Sequence, residues 1–573
     1  MQAHRIPDSP RTFASRLDPF VLTLFAVIAV LAAGWWAWQG REVDLPEVRD
    51  ARLQCASYAP YRLPGETPYD PSMKVSEARL REDLKIVSAM TGCVRTYSIA
   101  QGLDAVPRIA KELGMKVLVG AWLGRDRAEN ERELSRAIEL ANTYPDTVRA
   151  LIVGNEVLLR RELPESELAA NLRRASEATR VPVTYADVWE FWTEHPGLVD
   201  AVSFLTIHIL PYWEDEPVGI SAAIAHVHDT VERMKSMAKG KEILIGETGW
   251  PSGGRQRREA VPGRVEQARF VREFALMAEN EGWRYNVIEA FDQPWKRRLE
   301  GAMGGYWGLF DSDGAQKFPW NGPVAEVADW VPGLVAAAVG GLLFAAFGRK
   351  RRHGPFGTTV LLLTGIATGA VMLAQARYML QWNRDVLEWG ASGLYALIAF
   401  ATILLGAERL AGRRNDVLPA VAVVLATRLG RSLAPGQRLA ERADAAEPAR
   451  TDLLLVVLRF AMLFGAAFMM TLMIFDARYR GFPTMLYVLP AALLLINVIV
   501  GERAPARRLE ESMLAAIVAI GVVWMTVTER PENLQAMVFG VVMLVMAGCA
   551  TNFRFGLGIA SDPERERSAR RPA

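Results

Sequence analysis

The chain of 573 residues carries 66 Lys+Arg against 64 Asp+Glu, 51% apolar residues and only three cysteines. That composition excludes a disordered, collagenous or disulfide-stapled chain, and a formal net charge of +2 gives no case for a nucleic-acid partner. Residues 41–329 alone hold 37 Lys+Arg against 45 Asp+Glu, so an acidic globular stretch is set within a basic, very apolar remainder.

Residues 1–18 read as a cytoplasmic tail bearing Arg11 and Arg16. Pro19 to Trp38 then runs without a single charge, long enough at about 1.5 Å per residue to span the ~30 Å hydrocarbon core of a bilayer. Its length, its Trp35, Trp36 and Trp38, and the lack of an A-x-A site favour an uncleaved transmembrane anchor at 19–38 over a secretory signal with an apolar core of ~7 to 15 residues. Under either reading the next stretch is exported.

Within 41–329, short runs rich in Val, Ile and aromatics alternate with charged stretches of helical period. The runs are QCASYAP (54–60), VRTYS (94–98), KVLVGAW (116–122), ALIVGNE (150–156), PVTYADVW (182–189), AVSFLTIHI (201–209), EILIGETGW (242–250) and NVIEAFD (286–292). Eight strand-and-helix units of this size predict an α/β fold, a closed (β/α)8 TIM barrel, with its chemistry at the strand C-termini. The stretches 76–90 and 127–142 place apolar residues at i, i+3 and i+4 and read as solvated outer helices, not acidic motifs.

After residue 329 come seven more apolar segments, near 331–347, 355–376, 386–406, 453–475, 482–500, 512–528 and 534–550. They predict a seven-span domain over 330–550, eight spans in all, and a cytoplasmic tail at 551–573. With the N-terminus inside, the inner segments hold 23 Lys+Arg and the short outer loops 5, the asymmetry of the positive-inside rule, which places both termini in the cytoplasm and the barrel outside. Val417 to Ala426 is too short to cross and reads as interfacial. Arg459, near the inner end of its span, is expected to snorkel.

Two of the strand runs carry Glu at the end that should face the barrel mouth. Glu156 closes ALIVGNE and Glu247 sits in LIGETGW, on the fourth and seventh strands. That placement can bring two carboxylates to the ~5 to 5.5 Å separation of retaining glycoside hydrolysis, where one attacks the anomeric carbon and the other protonates the leaving oxygen. Asn155, just before Glu156, can donate to a sugar hydroxyl. Glu156 is therefore assigned as acid/base, expected to be held protonated by burial or a neighbouring negative charge, and Glu247 as nucleophile. Aromatic rings that follow strand ends suit sugar faces, which selects Tyr212, Trp213, Trp250 and Trp295, with His208 as a hydrogen-bonding group and not a metal ligand.

These residues resemble a known family. GETGWPSGG (246–254) resembles the nucleophile signature of glycoside hydrolase family 17, the β-1,3-glucanases and related glucanosyltransferases, and IVGNE (152–156) resembles its acid/base strand. VRTYS, LTIHILPYW (205–213), IEAFDQPWK (288–296) and YWGLFDSDG (306–314) follow the same family's run, so the likeness covers about 54–320. It implies a retaining mechanism on β-linked glucan, with Glu289 and Lys296 supporting the nucleophile and Tyr58, Arg95 and Tyr97 among the substrate-binding groups. The layout of barrel plus spans resembles bacterial membrane proteins linked to rhizobial β-1,3/1,6-glucan synthesis. That likeness implies an inner-membrane protein with a periplasmic barrel that transfers glucosyl chains between glucans, with a separate glucan synthase as a candidate partner. The competing expectation is an export or assembly component whose barrel only grips glucan.

No cofactor or metal is expected. His226 and His228 point different ways on a helix, no phosphate loop or dinucleotide fingerprint is present, and Asp311-Ser312-Asp313 before Gly314 reads as a tight turn. Cys55 and Cys93 open neighbouring strands and are either a disulfide or two buried thiols.

Overall fold

Eight short parallel strands close into a barrel: β1 (Ala56–Ser57), β2 (Cys93–Arg95), β3 (Lys116–Ala121), β4 (Val148–Asn155), β5 (Val183–Val188), β6 (Leu205–His208), β7 (Ile243–Thr248) and β8 (Arg284–Val287). Each pairs with the next, and β8 pairs back onto β1. The computed structural model describes residues 11–48, 52–414, 418, 420–428, 450–475, 479–500 and 509–551. The strands are apolar on both faces because one face fills the barrel and the other meets the helices. Leu118, Ala150, Ile152, Ala186 and Leu244 form one buried cluster, whereas their strand neighbours Val119, Leu151, Val153 and Ile245 join the larger core. The outer helices follow their predicted pattern. Arg127–Thr143 buries Leu134, Ala137, Leu140 and Ala141 and is capped by Asp126, which accepts from the Ala128 and Glu129 amides, satisfying donors that the first turn leaves orphaned.

A two-residue antiparallel ribbon, Glu42–Val43 with Val324–Ala325, ties the barrel's entrance to its exit. Outside it, the described residues hold eight apolar helices of 17 residues or more: α1 (Arg11–Gln39), α2 (Val331–Lys350), α3 (Pro355–Trp382), α4 (Val386–Ala411), α5 (Arg450–Phe475), α6 (Thr484–Val500), α7 (Leu509–Glu529) and α8 (Leu534–Thr551). They fall on the eight predicted apolar segments; by length and composition α1 to α5 and α7 are long and apolar enough to cross a membrane, while α6 and α8 are shorter. α2 and α3 touch along glycines. A Cβ on Gly369 would lie 1.9 Å from the Ala336 carbonyl oxygen, and one on Gly340 2.3 Å from that of Gly365, the small-residue contact by which helices in lipid gain packing.

Arg459 differs from its predicted place. It is buried in the bundle and donates to Glu511 of α7 at 2.7 Å, because a guanidinium that meets a carboxylate inside the bundle need not reach the headgroups. The interfacial segment forms a helix at Val421–Arg428 whose Val421 and Val424 pack on Val456; its residues 417 and 419, and residues 1–10 and 552–573 of the predicted tails, lie outside the described residues.

Cys55 and Cys93 are joined in a disulfide where β1 meets β2. Cross-linking residues 38 apart in sequence restricts the unfolded chain, so Cys93→Ser is expected to cost about 2–4 kcal/mol. Thermal melts with and without reductant check this, since only the native protein should respond to the reductant.

Candidate active site

Both glutamates are aimed by the same local device, a one-residue register shift beside a glycine. Between β4 and β5, Ile152 pairs with Thr184 but Asn155 pairs with Ala186, and the extra residue is accommodated at Gly154, whose φ is +85°. Between β6 and β7, Ile207 pairs with Ile245 but His208 pairs with Glu247, the extra residue being Gly246. A Cβ there would lie 2.4 Å from Thr206 Cγ2, so only glycine fits. Such bulges re-aim the side chains that follow. Glu156 itself has φ +51°, a left-handed conformation that costs a non-glycine residue free energy and is found where function requires it.

The two carboxylates meet over His208. One oxygen of each and a ring nitrogen of His208 all lie within 4.8 Å of one another. His208 Nδ1 is 3.1 Å from Glu156 Oε1, and Nε2 is 3.6 Å from Glu247 Oε1. Arg95, 1% exposed, sits beneath them. Its Nη1 donates to the Gly246 carbonyl at 2.7 Å and to Glu247 Oε1 at 3.2 Å, and its Nη2 donates to Asn155 Oδ1. Its Cζ lies 4.8 Å from the centre of the Tyr97 ring, whose hydroxyl donates to Ser57 Oγ at 3.0 Å. Two carboxylates and a histidine could ligate a cation, but the Arg95 guanidinium already approaches both Glu247 and His208 Nε2, the latter at 3.4 Å. The trio is a hydrogen-bonded network with its own resident positive charge.

Glu156 differs from the expectation of a raised pKa. Burial pushes its carboxyl up, but the hydrogen bond and charge of His208, with Arg160 and Arg95, outweigh burial and hold it below the usual range. Protons rest more readily elsewhere. Burial lifts Asp187, which accepts from the Tyr185 hydroxyl, to about 6, and lifts Glu289 to about 7 despite two 2.9 Å contacts from Lys296 Nζ. Burial lowers Lys296, but Glu289, Glu300 and Glu247 outweigh it and push its pKa up, so it stays charged.

The structure thus gathers Glu156, Glu247, Asn155, Arg95, Tyr97 and His208, with the Glu289–Lys296 pair close enough to feel the charge of Glu247. Trp295 is half-buried with its ring centre 5.9 Å from Lys296 Nζ, edge-on to Tyr69 with ring centres 5.6 Å apart, and Trp213 is half-buried under Arg257, whose Cζ lies 4.9 Å from the ring centre. Three predicted substrate-binding residues fall elsewhere. Tyr58 is 1% exposed and donates to Asp83 at 2.9 Å, in the layer between barrel and helices. Tyr212 and Trp250 are both 0% exposed, packed edge-on against each other and bonded to the Arg255 and Val261 carbonyls. Their polar tips are already satisfied and their rings are core. Sequence reasoning did not select Asp187, Arg160 or Glu300; Arg160 Nη1 is 3.7 Å from Glu156 Oε2. The predicted turn at Asp311 is present, its carboxylate accepting from the Asp313 and Ala315 amides at 2.9 Å.

Residues 55–308 match the BtgE/BtgC glycoside hydrolase domain. Among similar proteins, the putative glucan endo-1,3-beta-glucosidase btgC of Aspergillus niger is 26% identical over 271 residues, 41% of this chain and 39% of that one. The glucan 1,3-beta-glucosidase of Candida albicans is 26% identical over 266 residues, 41% of this chain and 84% of that one. Among solved structures, the Rhizomucor miehei glycoside hydrolase family 17 beta-1,3-glucanosyltransferase covers 47% of this chain and 97% of its own, at 23% identity and a TM-score of 0.42. Over residues 55–308 the barrel is thus similar to the BtgE/BtgC glycoside hydrolase domain.

Proposed function

We propose that the barrel cleaves β-1,3-linked glucan by a retaining double displacement and passes the glucosyl chain to a second glucan or to water. The observation that carries this reading is the approach of Glu156 and Glu247 to within 4.8 Å, which leaves no room for a water between acid and base and requires one carboxylate to attack. Glu247 is the nucleophile: Arg95 donates to it and keeps an anion in place at 6% side-chain exposure. Glu156 is the acid/base, in contact with His208. The likeness to a glucan endo-1,3-beta-glucosidase and a glucan 1,3-beta-glucosidase supports the linkage. Incubating the full-length protein with laminari-oligosaccharides tests it: products longer than the substrate mark transfer, shorter ones alone mark hydrolysis, and no change ends the proposal.

In this reading the site lies on the outer face of a bacterial inner membrane, with the spans in the lipid and a separate synthase as a candidate supplier of glucan. Support comes from the apolar helices, the 23-to-5 distribution of basic residues, and a disulfide of the kind that persists outside the cytoplasm. Protease cleavage of the barrel in intact spheroplasts checks the orientation.

A pH prediction follows from the lowered Glu156. The first chemical step needs its acid form, so kcat/KM falls as pH rises through that pKa, and a depressed pKa places this alkaline limb on the acid side of an ordinary glutamate's. His208→Asn removes the largest lowering influence, so the limb is expected to move to higher pH while the maximal rate drops. A limb that stays in place in the variant separates it from Glu156.

A further inference from the structure

Two segments that follow the site-bearing strands β7 and β8 are also the barrel's grip on the apolar helices. The first continues from the nucleophile strand. Gly253 lies against α3, where a Cβ would be 2.1 Å from Gln381 Nε2. Arg255, 4% exposed, forms an ion pair with Glu529 at the end of α7, donates to the Arg480 carbonyl at 3.3 Å and lies 4.8 Å from the Phe482 ring centre. Gln256 is bound at both its backbone and its side chain. Its amide donates to Gln535 Oε1 at 3.0 Å, its Nε2 to the Glu532 carbonyl at 2.9 Å, and its carbonyl and Oε1 accept from Asn533 Nδ2 at 3.0 Å and the Gln535 amide at 3.2 Å.

The second segment follows β8 and alternates between the two domains residue by residue. Lys296 holds Glu289. Its neighbour Arg297 donates to the Leu380 and Gln381 carbonyls at the end of α3, at 3.3 and 3.2 Å. Glu300 senses the charges of Glu156 and Glu247, and the next residue, Gly301, has φ +79° and approaches Tyr479 so closely that a Cβ would lie 3.2 Å from its Cα. No comparable span of polar contacts is needed merely to tether a barrel, since the chain already enters and leaves it through α1 and α2.

We infer that the ends of α3, α7 and α8 next to the barrel set the geometry of the active-site wall, with Arg255, Gln256 and Arg297 as positioning residues for Glu247 and Lys296. The inference rests on the glucan-active reading above. A buried ion pair stripped of one partner leaves an uncompensated charge that the surrounding loop must move to solvate, and a shift of about 1 Å in a reacting group costs on the order of 100-fold in rate. The bundle is then a working part of the enzyme, and a barrel detached from it is a poor catalyst.

The test uses the full-length protein in nanodiscs with laminari-oligosaccharides. Arg255→Glu and Glu529→Arg are each expected to lower kcat about 10- to 100-fold with KM held within about twofold, and the double exchange is expected to regain most of the loss. Gln256→Ala, which leaves no charge unpaired, is expected to lower kcat several-fold, and Arg413→Ala, which breaks an exposed pair with Asp18 away from the barrel, to leave it unchanged. Wild-type kcat in both single exchanges and in Gln256→Ala, or losses confined to KM, overturns the inference. Should the exchanged proteins fail to fold, Gln256→Ala alone decides it. A wild type inert on glucan removes the functional reading instead; the coupling is then read from amide hydrogen exchange over residues 247–256, which should speed up in Gln256→Ala.

Discussion

Glu247→Gln is expected to lose transfer and hydrolysis together, by some 10⁴- to 10⁶-fold, as removal of a covalent nucleophile does elsewhere. The shape of the side chain is kept, so Arg95 and His208 stay near their places and the loss reports chemistry, not collapse. The roles of the two carboxylates can be told apart by what a small anion does in the space left by truncation. In Glu247→Ala, azide enters from the vacated nucleophile's side and attacks the anomeric carbon directly, giving a product of inverted configuration. In Glu156→Ala, an aryl glucoside with a good leaving group still glycosylates Glu247, and azide entering from the acid/base side then yields a product of retained configuration. Exchange of these two outcomes reverses the assignment of Glu156 and Glu247; full activity in both variants removes the pair from the mechanism.

The barrel was legible because its determinants are local. Each strand needs a short run of β-branched and aromatic residues, each outer helix an apolar stripe, and both leave periodic signals. Boundaries were less so. QCASYAP reads as a seven-residue strand, yet only Ala56 and Ser57 enter the ladder, because closure needs few paired residues there and the flanking chain turns away to Asp83 and the helix layer. The meeting of the two glutamates has a local cause: VGNE and IGE place a glycine two residues and one residue ahead of the acid, and that glycine sits at the register shift that aims it.

Two of the aromatic choices, Tyr212 and Trp250, lie in the core, because direction, not position, decides. Trp250 does follow a strand end, but Phe270 stacks on it at 5.8 Å, and no periodicity within β7 reveals that the ring turns toward the helix Arg264–Glu281 instead of the mouth. Asp187 and Glu300 carry no motif and become relevant only through what the fold places beside them. Least legible of all was the contact between Arg255 and Glu529, which lie 274 positions apart: complementary charge across two domains has no sequence period, and only the assembled chain brings the loop after Glu247 onto α7.

Arg95→Ala is expected to combine a large kinetic loss with a large loss of stability, and the way the two separate tests the network. One guanidinium serves the Gly246 carbonyl that shapes the bulge, the Glu247 carboxylate and the Asn155 amide oxygen. Its planar fork makes these contacts at once, which an ammonium cannot do. Removing it leaves a buried carboxylate without its charged partner, a change that costs about 3–5 kcal/mol in comparable buried pairs, and frees Glu247 to rotate, for a drop in kcat of about 100-fold or more. Arg95→Lys keeps the charge and should recover stability better than rate. The decisive measurement is the double variant Arg95→Ala with Glu247→Gln: if the unpaired anion is what destabilises Arg95→Ala, neutralising Glu247 should raise the melting temperature of the double variant above that of Arg95→Ala alone. Equal melting temperatures instead assign the stability of Arg95 to the Gly246 carbonyl and Asn155, leaving its pairing with Glu247 a matter of rate.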